Sequence, residues 1–184
     1  MRATDDLLTN TSAAVLGMVA LGARSGYEIQ RAAERSVRFF WSLAAPQVYA
    51  ELKRLEAAGL LAGRDDARGG RPRRVFEATD AGREALRAWL TAGTAPSLEL
   101  RDGALLRLFF ADALESPAAA RALVGAMRAR SERALEQFEG EIAPAAARAR
   151  EGGAHFPGHV AAFGRELHEF IVGWCDRLEA ELSS

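Results

Sequence analysis

Several groups of side chains in this 184-residue chain have types and spacings that could do chemistry. His155 and His159 are four apart, the spacing of two metal ligands on one helical face. Pro157 and Gly158 stand between them and disfavour the helix such a pair needs. No carboxylate or cysteine completes a ligand set, so no metal is expected. His168 and Cys175 are seven apart on one helical stretch and could share a face. A nucleophilic pair also needs an orienting group and an oxyanion site, and neither can be pointed to. A cysteine packed in a helical core is the simpler reading. The run GGRPRR, residues 69–74, lacks the Gly-Lys-Ser/Thr ending of a phosphate-cradling loop. No constellation supports an enzyme, and no cofactor is expected.

The remaining group is suited to nucleic acid. Residues 64–74, RDDARGGRPRR, hold five arginines against Asp65 and Asp66. Gly69 and Gly70 loosen the turn, and Pro72 disfavours helix at Arg71, which leaves an extended Gly-Arg-Pro tip. Such a tip can lie in a narrow minor groove, whose negative potential attracts arginine. The competing reading is a solvated hairpin loop. Just before it, Val48, Leu52 and Leu55 share one helical face, and Gly59 marks the helix end. The opposite face presents Pro46, Gln47, Ala50, Lys53, Arg54 and Ala57, with Tyr49 on a flank. A helix of this diameter fits the major groove. Gln47 can make a paired hydrogen bond to adenine, and Lys53 and Arg54 suit phosphates. The competing reading there is a solvated face on a structural helix.

Other elements must hold these two. Helices are expected from Thr11 to Gly22, burying Val15, Leu16, Val19 and Leu21, and from Gly26 to about Arg35 behind an Ser25 cap, burying Tyr27, Ile29 and Ala33. Pro46 suits the first turn of the third helix. Leu60 to Arg64 and Arg74 to Ala78 read as antiparallel strands, and Thr79 caps a helix turning Leu86, Trp89 and Leu90 inward. Helix, strand, basic turn and returning strand make a winged helix-turn-helix. TAGTAPS, residues 91–97, reads as a linker. The domains are therefore 1–92, a winged helix-turn-helix DNA-binding domain, and 93–184, a helical dimerisation and effector domain.

That second part is expected to hold a helix from about Glu99 to Leu114 and a long one from Pro117 towards Arg150. EGGAHFPG, residues 151–158, breaks it from the last helix. There Phe156, Val160, Phe163, Leu167, Phe170 and Trp174 alternate by four and three, a narrow apolar seam suited to another helix. Phe39, Phe40, Trp41, Phe109 and Phe110, with the seam aromatics, form stripes of the kind that is usually core or dimer seam, and their spacing does not itself point to an effector pocket. The fold class is mainly α.

Composition sets the bounds. A hydrophobic fraction of 49% and a charged fraction of 27% are ordinary for a globular protein. No apolar run reaches the roughly 20 residues that cross a bilayer, so no membrane partner is expected. The start MRATDDLL carries acids where a secretory signal carries bases, and the single cysteine suits a reducing cytoplasm. The net charge of -1 hides an asymmetry. Residues 1–92 hold 14 bases and 11 acids, and residues 93–184 hold 10 and 14. One half suits DNA and the other does not.

The order of these residues resembles a known family. SGYEI at 25–29, FWS at 40–42, QVY at 47–49, ELKRLEAAGLL at 51–61 and GRPRRVFEATDAGREAL at 70–86 resemble PadR-family transcriptional regulators. LLRLFFADALES at 105–116, with two long helices, resembles the longer branch, which includes the virulence activator AphA. The resemblance implies a homodimer paired through the C-terminal helices, with one winged helix per protomer on a pseudo-palindromic operator in double-stranded DNA. It also implies a repressor that releases DNA on binding a small aromatic effector. Tyr27 matches the family's tyrosine near phosphate, Gln47 and Tyr49 its recognition-helix positions, and Arg71 and Arg73 its wing. The DNA-contact set is therefore Tyr27, Gln47, Tyr49, Lys53, Arg54, Arg68, Arg71, Arg73 and Arg74. Ala44-Ala45-Pro46 stands where the family commonly has Thr-His-Ser, and Ala50 replaces a frequent proline. That departure keeps a second hypothesis open, a winged-helix protein-interaction or ligand-sensing module that has lost DNA binding.

Overall fold

Thr9, Ser25 and Thr79 are short hydroxyl residues in extended backbone, and each accepts a hydrogen bond from an N–H three residues on. These caps start α1 (Asn10–Ala20), α2 (Gly26–Glu34) and α4 (Asp80–Thr91). Between them lie α3 (Ala45–Ala57), β1 (Leu61–Asp66) and β2 (Arg73–Ala78). The computed structural model describes residues 8–66, 73–93, 100–114 and 116–183. The chain forms two compact units, Met1–Ala95 and Pro96–Ser184.

In the first unit Val15, Leu16, Ile29, Val48, Leu52 and Leu55 meet in one core, closed by Leu60, Leu61 and Phe76 of the hairpin. The end of α3 is fixed locally. Gly59 takes φ +71°, its N–H donates to Glu56 O, and the Leu60 N–H donates to Leu55 O. This paired reversal turns the chain out of the helix and drops Leu60 back onto Leu55. The strands pair antiparallel, with Leu61 opposite Ala78 and Asp66 opposite Arg73. Thr79 ties hairpin to helix: its hydroxyl donates to Gly59 O at 2.7 Å, and its N–H donates to Leu60 O at 3.1 Å. Gly82 then rides directly on the Leu60 carbonyl, where a Cβ would collide with backbone.

Four side chains expected inside lie out. Tyr27 and Leu21 are exposed, the latter because α1 ends at Ala20. Trp89 and Leu90 are also exposed, because α4 meets the core through Gly82, Ala85 and Leu86 in its first two turns.

The second unit holds α5 (Gly103–Phe109), a short 3-10 turn (Ala111–Ala113), α6 (Pro117–Gln137), α7 (Ala143–Glu151) and α8 (Phe156–Glu181). Asp102 caps α5 and also holds Arg130 of α6, with Nη2 and Oδ2 2.5 Å apart. The Arg130 guanidinium keeps the Asp102 carboxyl below its ordinary range. The long helix expected towards Arg150 is interrupted by a π turn, Phe138–Ile142. Pro144 has no N–H for the Gly140 carbonyl, and a wider turn, with the Ala143 N–H reaching Phe138 O, relieves the ring's clash. Helix α8 runs through Pro157 and Gly158, contrary to expectation, because proline costs little in a first turn.

Helices α6 and α8 pack through Val124, Met127 and Cys175, with Ile171 and Leu178 beside them. Burial pushes the Cys175 thiol up, the reverse of what a thiolate nucleophile needs. His168 shares a hydrogen bond with the fully buried Ser131 at 3.3 Å, near the Phe138 ring.

Two outcomes are expected. Gly82→Ala forces a methyl group onto the Leu60 carbonyl and should cost about 1–3 kcal/mol in denaturant unfolding. Burial, then the Arg130 charge, holds His168 below the ordinary histidine value, so the folded state binds fewer protons than the unfolded chain. Stability is therefore full above about pH 6.5 and falls as pH drops through the unfolded value towards the lowered folded one. Thermal unfolding across pH 5–7 should show that fall (roughly the histidine range), and His168→Gln should remove part of it.

Candidate nucleic-acid interface

Burying Val48, Leu52 and Leu55 turns the other side of α3 to solvent, and Pro46, Gln47, Tyr49, Ala50, Lys53, Arg54 and Ala57 are all exposed there. Lys53 makes no ion pair among the described residues. Arg54 is engaged: its Nε lies 3.0 Å from Glu51 Oε2, and Nη2 donates to the buried Ser12 hydroxyl of α1. It therefore braces α3 on α1.

Gln47 has a local duty. Ala44 occupies the cap position of α3, with the extended backbone a cap requires but no side-chain acceptor. The Gln47 side-chain oxygen accepts from the Ala44 N–H at 3.1 Å, so the one glutamine suited to a base edge also closes the helix start. Its amide NH2 is left to donate.

The SGYEI segment has a physical reason at each position. Ser25 caps α2, and its oxygen accepts from the Glu28 N–H at 3.3 Å. Gly26 lies under the Tyr49 ring, where a Cβ would come within 2.5 Å of Cε1. Tyr27 stands out to solvent, its hydroxyl accepting from Arg31 at 3.1 Å while that guanidinium lies over its ring. Glu28 accepts from the Arg24 N–H at 2.8 Å, and Ile29 enters the core. Tyr27 and Tyr49 thus present polar tips from adjacent helices.

The hairpin reads differently in three dimensions. Its register sets Asp65 opposite Arg74 and Asp66 opposite Arg73. Arg74 Nη1 lies 3.0 Å from Asp65, and Nη2 lies 2.5 Å from Glu56 of α3. Arg73 lies 3.4 Å from Asp66 and 3.3 Å from Glu28 of α2. Arg64 meets Glu77, which also holds Arg24 at 2.7 Å. Each described arginine of the hairpin faces a carboxylate. Arg68 and Arg71 lie outside the described residues. Sequence reasoning did not select Glu28, Glu56 and Glu77, which balance this face. The signal for part of it was present, because a DD pair and an RR pair flanking one turn oppose each other across a hairpin.

The seam on α8 lies on the outer side of its own unit. Phe156, Val160, Phe163, Leu167 and Phe170 are exposed, Trp174 is half-buried, and the inward positions are Ala161, Gly164 and Cys175. His155 and His159 are exposed at the helix start, and among the described residues no histidine, cysteine or carboxylate grouping could hold a metal. Among the same residues, no helix is long and apolar enough to cross a membrane.

Comparison with known proteins agrees with this architecture. The negative transcriptional regulator PadR of Bacillus subtilis is 29% identical over 102 residues, 55% of this chain and 56% of that protein. A protein of Mycobacterium tuberculosis is 31% identical over 93 residues, 50% of this chain and 49% of that one. The chain thus spans about half the length of the relatives it matches in sequence. In three dimensions, Bacillus subtilis PadR in complex with operator DNA superposes with a TM-score of 0.76 at 23% identity, covering 93% of this chain and 98% of that one. The same protein in complex with p-coumaric acid gives 0.72, also at 23% identity, covering 94% and 98%. The Vibrio cholerae virulence activator AphA gives 0.69 at 21% identity, covering 95% and 98%. Residues 15–88 match the transcriptional regulator PadR-like family, and residues 100–183 match the virulence activator alpha C-terminal region. The chain thus carries a PadR-like transcriptional-regulator region followed by a virulence activator alpha C-terminal region.

Proposed function

We propose that this chain is a homodimeric, sequence-specific DNA-binding repressor of the cytoplasm, with no enzymatic activity, released from its operator by a small planar aromatic compound. One observation carries the reading: an outer face of α3 that gives no apolar side chain to the core and stands beside a two-stranded hairpin on the same unit. The relative whose structure contains operator DNA shares the overall fold. The relative's p-coumaric acid complex supports the aromatic effector. Residues 1–92 serve DNA, and residues 93–184 serve dimerisation and the effector.

On this reading Lys53 meets phosphate without first leaving a carboxylate of the described residues, and Tyr27 and Tyr49 add hydroxyls. Gln47 reads a base with its NH2, or with both groups once the Ala44 N–H is released. Arg68 and Arg71 extend the contact from the turn. Arg54, Arg73 and Arg74 can join only by exchanging their present partners for phosphate. The same facts, a recognition glutamine used as a cap and hairpin arginines paired with acids, support the rival reading of an interaction or ligand-sensing module.

Binding measurements separate the two. The chain should prefer a duplex from its own upstream region over random DNA, and equal binding would end the regulator reading. Lys53→Ala should weaken binding to both duplexes and lower the log–log salt slope by roughly one. Gln47→Ala should relax preference at one base pair, at a cost of ~1–3 kcal/mol. In solution the mass should be that of a dimer. Glu at both Phe163 and Phe170 should give monomers that remain helical, because these side chains face out of their own unit.

A further inference from the structure

Glu56 sits near the C-terminal end of α3, and its carboxylate reaches over β1 to the hairpin's second strand. Arg74 grips it as a fork, with Nε 3.3 Å from Oε2 and Nη2 2.5 Å from Oε1. The Arg74 guanidinium first, and the nearby Gly63 backbone N–H after it, hold the Glu56 carboxyl below its ordinary range. Gly63 also makes the crossing sterically feasible, because a Cβ there would collide with Glu56 Oε1 and lie 2.9 Å from Arg74 Nε. Asp65 holds the remaining arm of Arg74 at 3.0 Å. An isolated exposed ion pair contributes little, since water screens it and two long side chains must be ordered. A planar fork seated closely over fixed backbone is different, because its geometry is specified as well as its charge.

We propose that the Glu56–Arg74 pair, seated over Gly63, is a strut that sets the wing's angle on the recognition helix, and that Arg74 is a positioning residue and not a phosphate contact. The proposal rests on the DNA-binding reading. Two elements that enter neighbouring grooves must keep one relative orientation. The apolar contacts of Leu60, Leu61 and Phe76 hold only the hairpin's inner side. The strut ties its outer side to α3. Turning Arg74 to phosphate would also leave the Glu56 and Asp65 carboxylates unpaired near a polyanion.

The test turns on sign. Glu56→Gln removes a negative charge from the DNA-facing unit, so simple electrostatics predicts tighter binding. The strut predicts the reverse. Glu56→Gln and Arg74→Ala should each weaken binding to the upstream duplex by roughly three- to tenfold, about the loss of one charge-assisted hydrogen bond. The double variant should be no weaker than Arg74→Ala. Arg74→Lys should not rescue, because an ammonium cannot form the fork. Exchange at the Gly63 amide should quicken in Glu56→Gln without DNA, while the far-UV dichroism stays that of the folded chain. Tighter binding by Glu56→Gln, full binding by Arg74→Lys, or unchanged exchange at Gly63 overturns the strut. If the wild-type chain binds neither the upstream duplex nor random DNA, the regulator reading falls. The strut then stands or falls on the exchange result alone.

Discussion

Burial of Val48, Leu52 and Leu55 against α1 and α2 is the constraint on which the first unit depends. All three are essentially inaccessible, and each such side chain contributes roughly 1.5–3 kcal/mol on leaving water. Their spacing fixes the rotation of α3 about its own axis. Once that rotation is set, Gln47, Tyr49, Lys53 and Arg54 have no choice but to face outward. The same burial fixes the hairpin, because the reversal at Gly59 drops Leu60 onto Leu55 and starts β1 there. The packing core and the candidate recognition surface are two faces of one helix.

Charge on the outer surface is organised by pairing more than by excess. The hairpin's register brings acids and bases directly opposite one another, and α2 and α3 supply further carboxylates from Glu28 and Glu56. Arginine is well suited to this because its planar fork can hold two carboxylates at once, as Arg73 and Arg74 each do. The arginines therefore order the unit as well as charge it. Lys53 differs in lacking an ion-pair partner among the described residues.

In the second unit, small and apolar residues on the inner side of α8 let it lie close to α6, while the large aromatics stand on the outer side. A helix with bulky apolar residues facing away from its own core has a surface to offer another chain. The π turn at Phe138–Ile142 is the local consequence of one proline, and it keeps Phe138 and Ile142 buried while the helix continues as α7.

The sequence by itself determined the elements and their order: the caps at Ser25 and Thr79, the inward stripe of α3, the reversal at Gly59, the paired strands and the alternating seam of α8. These depend on residues a few positions apart, so local propensity and periodicity carry them. Helix continuity through Pro157, the break before Pro144, and the exposure of Trp89 and Leu90 were less legible. They turn on where a proline falls within a turn and on how far a core extends. The tertiary structure alone decided what the charged residues do. Glu56 and Arg74 are 18 positions apart, Arg54 and Ser12 are 42 apart, and Arg73 and Glu28 are 45 apart. A run of arginines reads as a basic patch in sequence, and it becomes a set of struts only when folding brings the carboxylates of other elements within hydrogen-bonding reach.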